Sequence, residues 1–178
     1  MIPNVIQRAL CVPKLDPAQF VATKWSTEAE KAKFGDALLR FIAEDFPERL
    51  FTKAFYNRLH LTFGHIANYN RNGFYGVFFS DRQGRITFLE QTISYPCYGD
   101  PAFTFSDVER VAAARVKNSD ILGWQRRLLA QEVEAAERTL LAKLEVKYRG
   151  NTRQDDAPAS SPVEPQESIQ DDLFGRSA

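Results

Sequence analysis

Cysteine is scarce in this 178-residue chain: Cys11 and Cys97 are the only two. Neither has a Cys-x-x-Cys partner, so neither a structural zinc site nor a disulfide scaffold is expected, and two distant cysteines read as small buried hydrophobes or free thiols. The chain has no run of about 18 apolar residues and no charged-then-apolar leader, so no membrane span is expected and the expected location is cytoplasmic. No P-loop, no Gly-x-Gly-x-x-Gly after a strand, no Gly-x-Ser-x-Gly and no His-Glu-x-x-His occurs. No cofactor is expected, and an enzyme would have to assemble its site from distant residues. Histidine is limited to His60 and His65. Five residues apart on a helix is roughly 140° of rotation, so the two do not share a face and a metal site is not expected.

Charge of one sign is also lacking. Lys+Arg and Asp+Glu both number 23. The balance is uneven along the chain, however: residues 150–178 carry Asp155, Asp156, Glu164, Glu167, Asp171 and Asp172 against Arg153 and Arg176, leaving the tail at −4 and the body at +4. A mildly basic body permits nucleic-acid contact without demanding it. The same tail has Val163, Ile169, Leu173 and Phe174 as its only large apolar residues, among Pro158, Pro162, Pro165 and many polar side chains. Such a segment cannot bury enough apolar surface to offset its ordering entropy, so 150–178 is expected to be a disordered acidic tether and 1–149 a single globular domain with an N-terminal arm.

Leu173 and Phe174 stand out in that tether. In solvent they gain nothing, whereas a partner's pocket would make each worth roughly 1.5–3 kcal/mol before ordering costs. Gln170-Asp171-Asp172-Leu173-Phe174 resembles the pentapeptide by which bacterial polymerases and repair proteins dock on the sliding clamp: glutamine, a variable residue, serine or aspartate, leucine or methionine, then phenylalanine. The resemblance implies the sliding clamp as partner, with Gln170, Asp172, Leu173 and Phe174 as the binding residues. Asp171 departs from the small apolar residue common at the second position, which bears on affinity. A small body joined to a host-type docking peptide also suits a protein of a phage or other mobile element.

The body reads as mainly α, in an α+β arrangement. Pro3, Pro13 and Pro17 punctuate residues 1–25, and Val5, Ile6, Leu10 and Val12 suggest an arm lying on the body. Thr27 with Glu30 forms a capping box ahead of Phe34, Leu38, Phe41 and Ile42, which recur on one helical face until Pro47. Phe55, Leu59, Phe63 and Ile66 form a second stripe, expected to pair antiparallel with the first. Phe74-Tyr75-Gly76-Val77-Phe78-Phe79 and Arg85-Ile86-Thr87-Phe88-Leu89, separated by turn chemistry, favour a β-hairpin over the competing helix starting after Asp81. Ser106 with Glu109 suggests another capping box, for a helix carrying Val108, Val111, Ala112 and Val116. Last comes a long helix from Asp120 to about Tyr148, with Leu122, Leu129, Val133, Ala136, Leu140 and Leu144 at 3–4 spacing. At roughly 1.5 Å per residue it outreaches a small core, so it either lies along the other helices or pairs with a second copy as a homodimer or with another partner.

Two further surfaces invite function. Arg71 with Tyr69, Phe74 and Tyr75, among asparagines and glycines, has the composition of a stacking platform for unpaired bases, the alternative being aromatics that fill the core. Arg126 and Arg127, with Arg110, Arg115 and Lys117, make the start of the last helix and its predecessor basic, either facing phosphate or simply solvated. A pocket of His60, His65, Tyr69 and Tyr75, close in sequence to Tyr56 and Asn57, is the enzyme alternative. Asp100, Asp107 and Glu109 offer hard-metal oxygens, although helix capping explains the last two more simply. The preferred reading is a non-enzymatic accessory of bacterial DNA replication or repair docked through its tail, with a nucleic-acid module and a small enzyme as alternatives.

Overall fold

The computed structural model describes residues 1–63, 68–94 and 99–151, with side chains as far as 149. Over these residues the helices are α1 Asn4–Cys11, α2 Glu28–Ala43, α3 Lys53–Thr62, α4 Arg71–Phe78, α5 Arg82–Ser94, α6 Ser106–Asn118 and α7 Ile121–Asn151, with 3-10 turns at Pro17–Gln19 and Glu48–Leu50. There is no β-strand among them. The α+β class and the hairpin expected across 74–89 are therefore corrected: the described fold is all-α.

The reason lies in capping and burial overriding strand propensity. Asn70 and Asp81, which read as turn residues, both act as helix caps. The Asn70 side chain accepts the Gly73 N–H at 2.7 Å, and the Asp81 carboxylate accepts the Gly84 N–H at 2.7 Å. Phe74 and Phe78, four residues apart, are buried on one face of α4, and Ile86 and Leu89, three apart, are buried on α5. A strand would have sent alternate aromatics into solvent; the helix puts them together. Gly84 permits the close packing of the pair, because a Cβ there would run into the Val77 carbonyl oxygen and the Phe78 backbone.

The capping box at Thr27 forms as expected, with Glu30 N–H to the Thr27 hydroxyl at 3.3 Å and Thr27 N–H to the Glu30 carboxylate at 2.9 Å. The one expected at Ser106 does not. Phe105 is the N-cap of α6, and the Ser106 hydroxyl instead donates to the Gly99 carbonyl at 2.6 Å. Helix α3 stops at Thr62, one turn short of the expected stripe, while Phe63 is still buried. Ile66 and His65 lie outside the described residues.

Phenylalanine dominates the core. Phe41 of α2 meets Phe46, Phe55 and Phe79 at ring-centroid distances of 5.3, 5.1 and 5.0 Å, and Phe34 meets Phe55 and Phe105 at 5.5 and 5.7 Å. Such tilted and edge-on contacts add about 0.5–1.5 kcal/mol each beyond area burial. They tie α2 to α3, α4 and α6. The chain leaves α2 through two left-handed residues, Asp45 (φ 66) and Phe46 (φ 59). Each costs roughly 1–2 kcal/mol for a residue with a Cβ. The Phe46 ring is 1% exposed, its N–H closes on the Phe41 carbonyl at 2.9 Å, and its carbonyl accepts the Tyr75 hydroxyl at 2.9 Å. Asp45 accepts Arg85 at 3.0 Å and Gln125 at 2.7 Å.

The N-terminal arm is held by two polar clamps. Arg115 of α6 donates to the Val12 and Pro13 carbonyls at 2.7 and 2.9 Å. Ile6 and Leu10 of α1 are buried, whereas Val5 and Val12 face solvent. The second clamp is a buried ion pair: Lys31 of α2, with its side chain 0% exposed, donates to Asp107 of α6 at 3.1 Å and to the Pro101 carbonyl at 2.7 Å. Asp107 also accepts the Val21 N–H at 3.0 Å.

Contacts divide the chain into two units, Met1–Ala135 and a second from Ala136 onward. The first holds the whole core described above. The second, where described, is the C-terminal stretch of α7. Every residue of α7 from Ala130 to Arg149 is exposed, Leu140, Leu141 and Leu144 included. The long helix is thus present, but its stripe beyond Leu129 is not buried. No helix among the described residues is long and apolar enough to cross a membrane.

Lys31→Ala should destabilise the fold by about 3–5 kcal/mol, because it strands the Asp107 carboxylate in the interior; Lys31→Met combined with Asp107→Asn should recover much of that loss. Urea denaturation of the three chains checks it, and equal stability of Lys31→Ala and the parent would show that the pair is dispensable. Gly84→Ala should destabilise by about 1–3 kcal/mol through the enforced shift of α4 against α5, despite a gain of roughly 1 kcal/mol in helix propensity. A higher melting temperature for this variant would show that the approach of the two helices is not tight.

Candidate functional site

Helices α3 and α4 both begin beside one open cleft. Thr52 caps α3 by accepting the Phe55 N–H at 3.2 Å, which brings Lys53 to its first turn, and the Asn70 cap does the same for Arg71 of α4. The cleft encloses about 590 Å³ between Lys53, Tyr56, Asn57, Tyr69, Asn70 and Arg71. Its floor is a hydrogen-bond relay. The Tyr56 hydroxyl donates to the Tyr69 carbonyl, and His60 Nε2 lies 3.0 Å from the same hydroxyl oxygen. Because the single phenolic proton goes to the carbonyl, His60 Nε2–H is the donor to Tyr56. The two cations and the asparagine amides favour an anionic or polar ligand, and Tyr69, 36% exposed, offers part of an aromatic face at the rim.

The residues expected to form a base-stacking platform divide between this cleft and the core. Arg71 is exposed, with Nε donating to Asn72 at 3.2 Å. Phe74 is fully buried, 5.5 Å from Phe79 and 4.6 Å from Phe78, so its ring has no face open to a base. Tyr75 turns away to Phe46, and burial, reinforced by Glu48, pushes its phenol above the ordinary range. The enzyme pocket suggested by sequence is likewise divided: His60 and Tyr69 border the relay, Tyr75 does not line the cleft, and His65 is outside the described residues.

Three of the basic residues of α6 and α7, Arg115, Arg126 and Arg127, are engaged within the fold, while Arg110 and Lys117 are exposed. Arg126 donates to Glu90 at 2.7 Å and Arg127 to Asp120 at 2.9 Å, both at exposed positions, and Arg115 holds the arm. Deeper in, Arg82 donates to the buried Gln125 at 2.6 Å and to Glu132 at 2.8 Å; its hydrogen bond holds the Glu132 carboxyl below the usual range. Asp100 accepts the Ala102 N–H at 2.8 Å and Asp107 serves Lys31, so these carboxylates do not converge with Glu109. Among the described residues no three His, Cys, Asp or Glu side chains gather as a metal site. Cys11 is half-buried, and burial pushes its thiol up.

Sequence reading missed Lys53 as a cleft residue; the only signal was the Thr52 cap, which sets it at the mouth of α3. The Tyr56–His60 pair was legible as an i, i+4 spacing. Gln170, Asp172, Leu173 and Phe174 lie outside the described residues. Compared with protein-family models, curated proteins and solved structures, the chain matches none.

Proposed function

We propose that this protein is a non-enzymatic accessory of bacterial DNA replication or repair, with a helical body that carries a C-terminal peptide to the sliding clamp and associates with a second copy through α7. The observation that carries the docking reading is the peptide itself: Gln170, Asp172, Leu173 and Phe174 match the clamp-binding pattern, at the end of a segment with no other apolar cluster. The body supports a carrier role, since its aromatics pack one another and most of the arginines described above hold carboxylates or backbone carbonyls. In docking, Leu173 and Phe174 would fill an apolar pocket and the Gln170 amide would orient the peptide. A second reading, contact with unpaired nucleic acid at the Lys53/Arg71 cleft, is favoured by its two cations beside the Tyr69 ring.

Titration of purified clamp with the 165–178 peptide should show saturable binding that Leu173→Ala with Phe174→Ala abolishes, because hot-spot truncations cost about 2 kcal/mol or more each. Gln170→Ala should weaken binding less. Equal binding by parent and double variant, or none by either, would discard the docking reading. For the cleft, a fluorescent single-stranded oligonucleotide should bind the full chain in a salt-dependent manner, and Lys53→Ala with Arg71→Ala should weaken binding about tenfold or more and flatten the salt slope. An unchanged affinity would leave the cleft without a role in nucleic-acid binding.

A further inference from the structure

We infer that residues 164–174 of the same chain fold back into a groove on α7, so that the docking peptide is withheld until a partner displaces it. The inference rests on the docking reading above and adds its regulation. The groove is a cavity of about 630 Å³ bordered by Arg138, Thr139, Ala142, Lys143 and Val146. Thr139, Ala142 and Val146 make its floor, and Val146 is 77% exposed. At roughly 100° per residue these three lie about 150° round the helix from Val133, Leu140 and Leu144, which leaves the leucine stripe to a second copy. Arg138 and Lys143 stand roughly 70° to either side of the floor, so the groove is apolar at its base and cationic at both edges.

Charge and tether length select the occupant. Between Arg138 and Arg149 the charged residues are Arg138, Lys143, Lys147 and Arg149 against Glu145 alone, and Glu145 lies roughly 90° away from the floor. Residues 164–174 have the opposite composition: Glu164, Glu167, Asp171 and Asp172 without a lysine or arginine, around Ile169, Leu173 and Phe174. An acidic apolar segment is the complement of an apolar floor with cationic edges. It is also tethered next to that floor. The last described residue, Asn151, closes α7 nine positions past Ala142, so the segment has to return about 14 Å along the helix. Residues 152–168 connect the two, and a chain of that length has an r.m.s. span of roughly 21–25 Å, enough for the return. A tether of suitable span holds its end at an effective concentration on the order of millimolar, which a second copy at micromolar concentration does not approach.

Paramagnetic relaxation in the full chain reads the contact directly. With Cys11→Ser, Cys97→Ser and a nitroxide on Glu145→Cys at the edge of the groove, the amides of 169–174 should be broadened more than those of 155–157, the reverse of the order that an unattached tether gives. Ala142→Glu with Val146→Glu should abolish that excess while the amide shifts of 1–135 stay in place, and Lys143→Glu or added salt should reduce it. Mixing spin-labelled chains with isotope-labelled ones should give no broadening. The clamp should bind the full chain about tenfold more weakly than the free 165–178 peptide, and should bind the Ala142→Glu, Val146→Glu chain as tightly as the peptide. Broadening that follows sequence order, or that survives the double variant, would overturn the groove contact, and broadening in the mixed sample would assign the segment to a second copy. Equal clamp affinity of full chain and peptide would overturn the withholding. A clamp that binds neither would discard the docking reading, and the groove contact would still be decided by the relaxation data.

Discussion

The ammonium of Lys31, buried beside the Asp107 carboxylate and 5.3 Å from the Phe105 ring, is the contact on which the rest of the arrangement depends. Desolvating two charges is expensive, and the interior tolerates them because each has several partners. Lys31 reaches a carboxylate and the Pro101 carbonyl; Asp107 reaches an ammonium and the backbone N–H groups of Val21 and Val108. One polar cluster therefore fixes α2 against α6, the strand-like approach of the arm at Val21, and the loop entering α6.

A second cluster does the same at the opposite end of α2. Asp45 is held in a left-handed conformation by Arg85 and Gln125, Gln125 is held by Arg82, and the Phe46 ring closes the turn by entering the phenylalanine core. This is also why the aromatic run at 74–79 is structural: Phe74 and Phe79 complete the ring network begun by Phe41 and Phe51, and α4 exists because that network buries them. What remains at the surface is the polar side of the same helices, where Lys53, Tyr56, Tyr69 and Arg71 surround the cleft.

The body thus engages Lys31, Arg82, Arg85, Arg115, Arg126 and Arg127 internally, while Lys53 and Arg71 at the cleft and the apolar residues of α7 beyond Leu129 stay exposed.

How much was readable from sequence follows from the range of the forces involved. The Thr27–Glu30 box, the stripe of α2, the existence of α6 and the length of α7 depend on residues three or four positions apart, and such local terms stand in the sequence itself. The Gln170–Phe174 string proposed to dock is equally local. The identity of α4 was not legible, because Asn-Gly and aromatic alternation satisfy strand and helix rules alike, and only the packing of Phe74, Phe78 and Phe79 on Phe41, Phe51 and Phe88 selects the helix. Nor could the partners of Lys31, 76 positions from Asp107, or of Gln125, 80 from Asp45, be foreseen. Local spacing determined the start of α2, the presence of α6 and the run of α7; the tertiary structure alone decided that 71–78 is a helix, which aromatics are core, which charges are buried in pairs and which stripe stays open, because those outcomes depend on desolvation by residues distant in the chain.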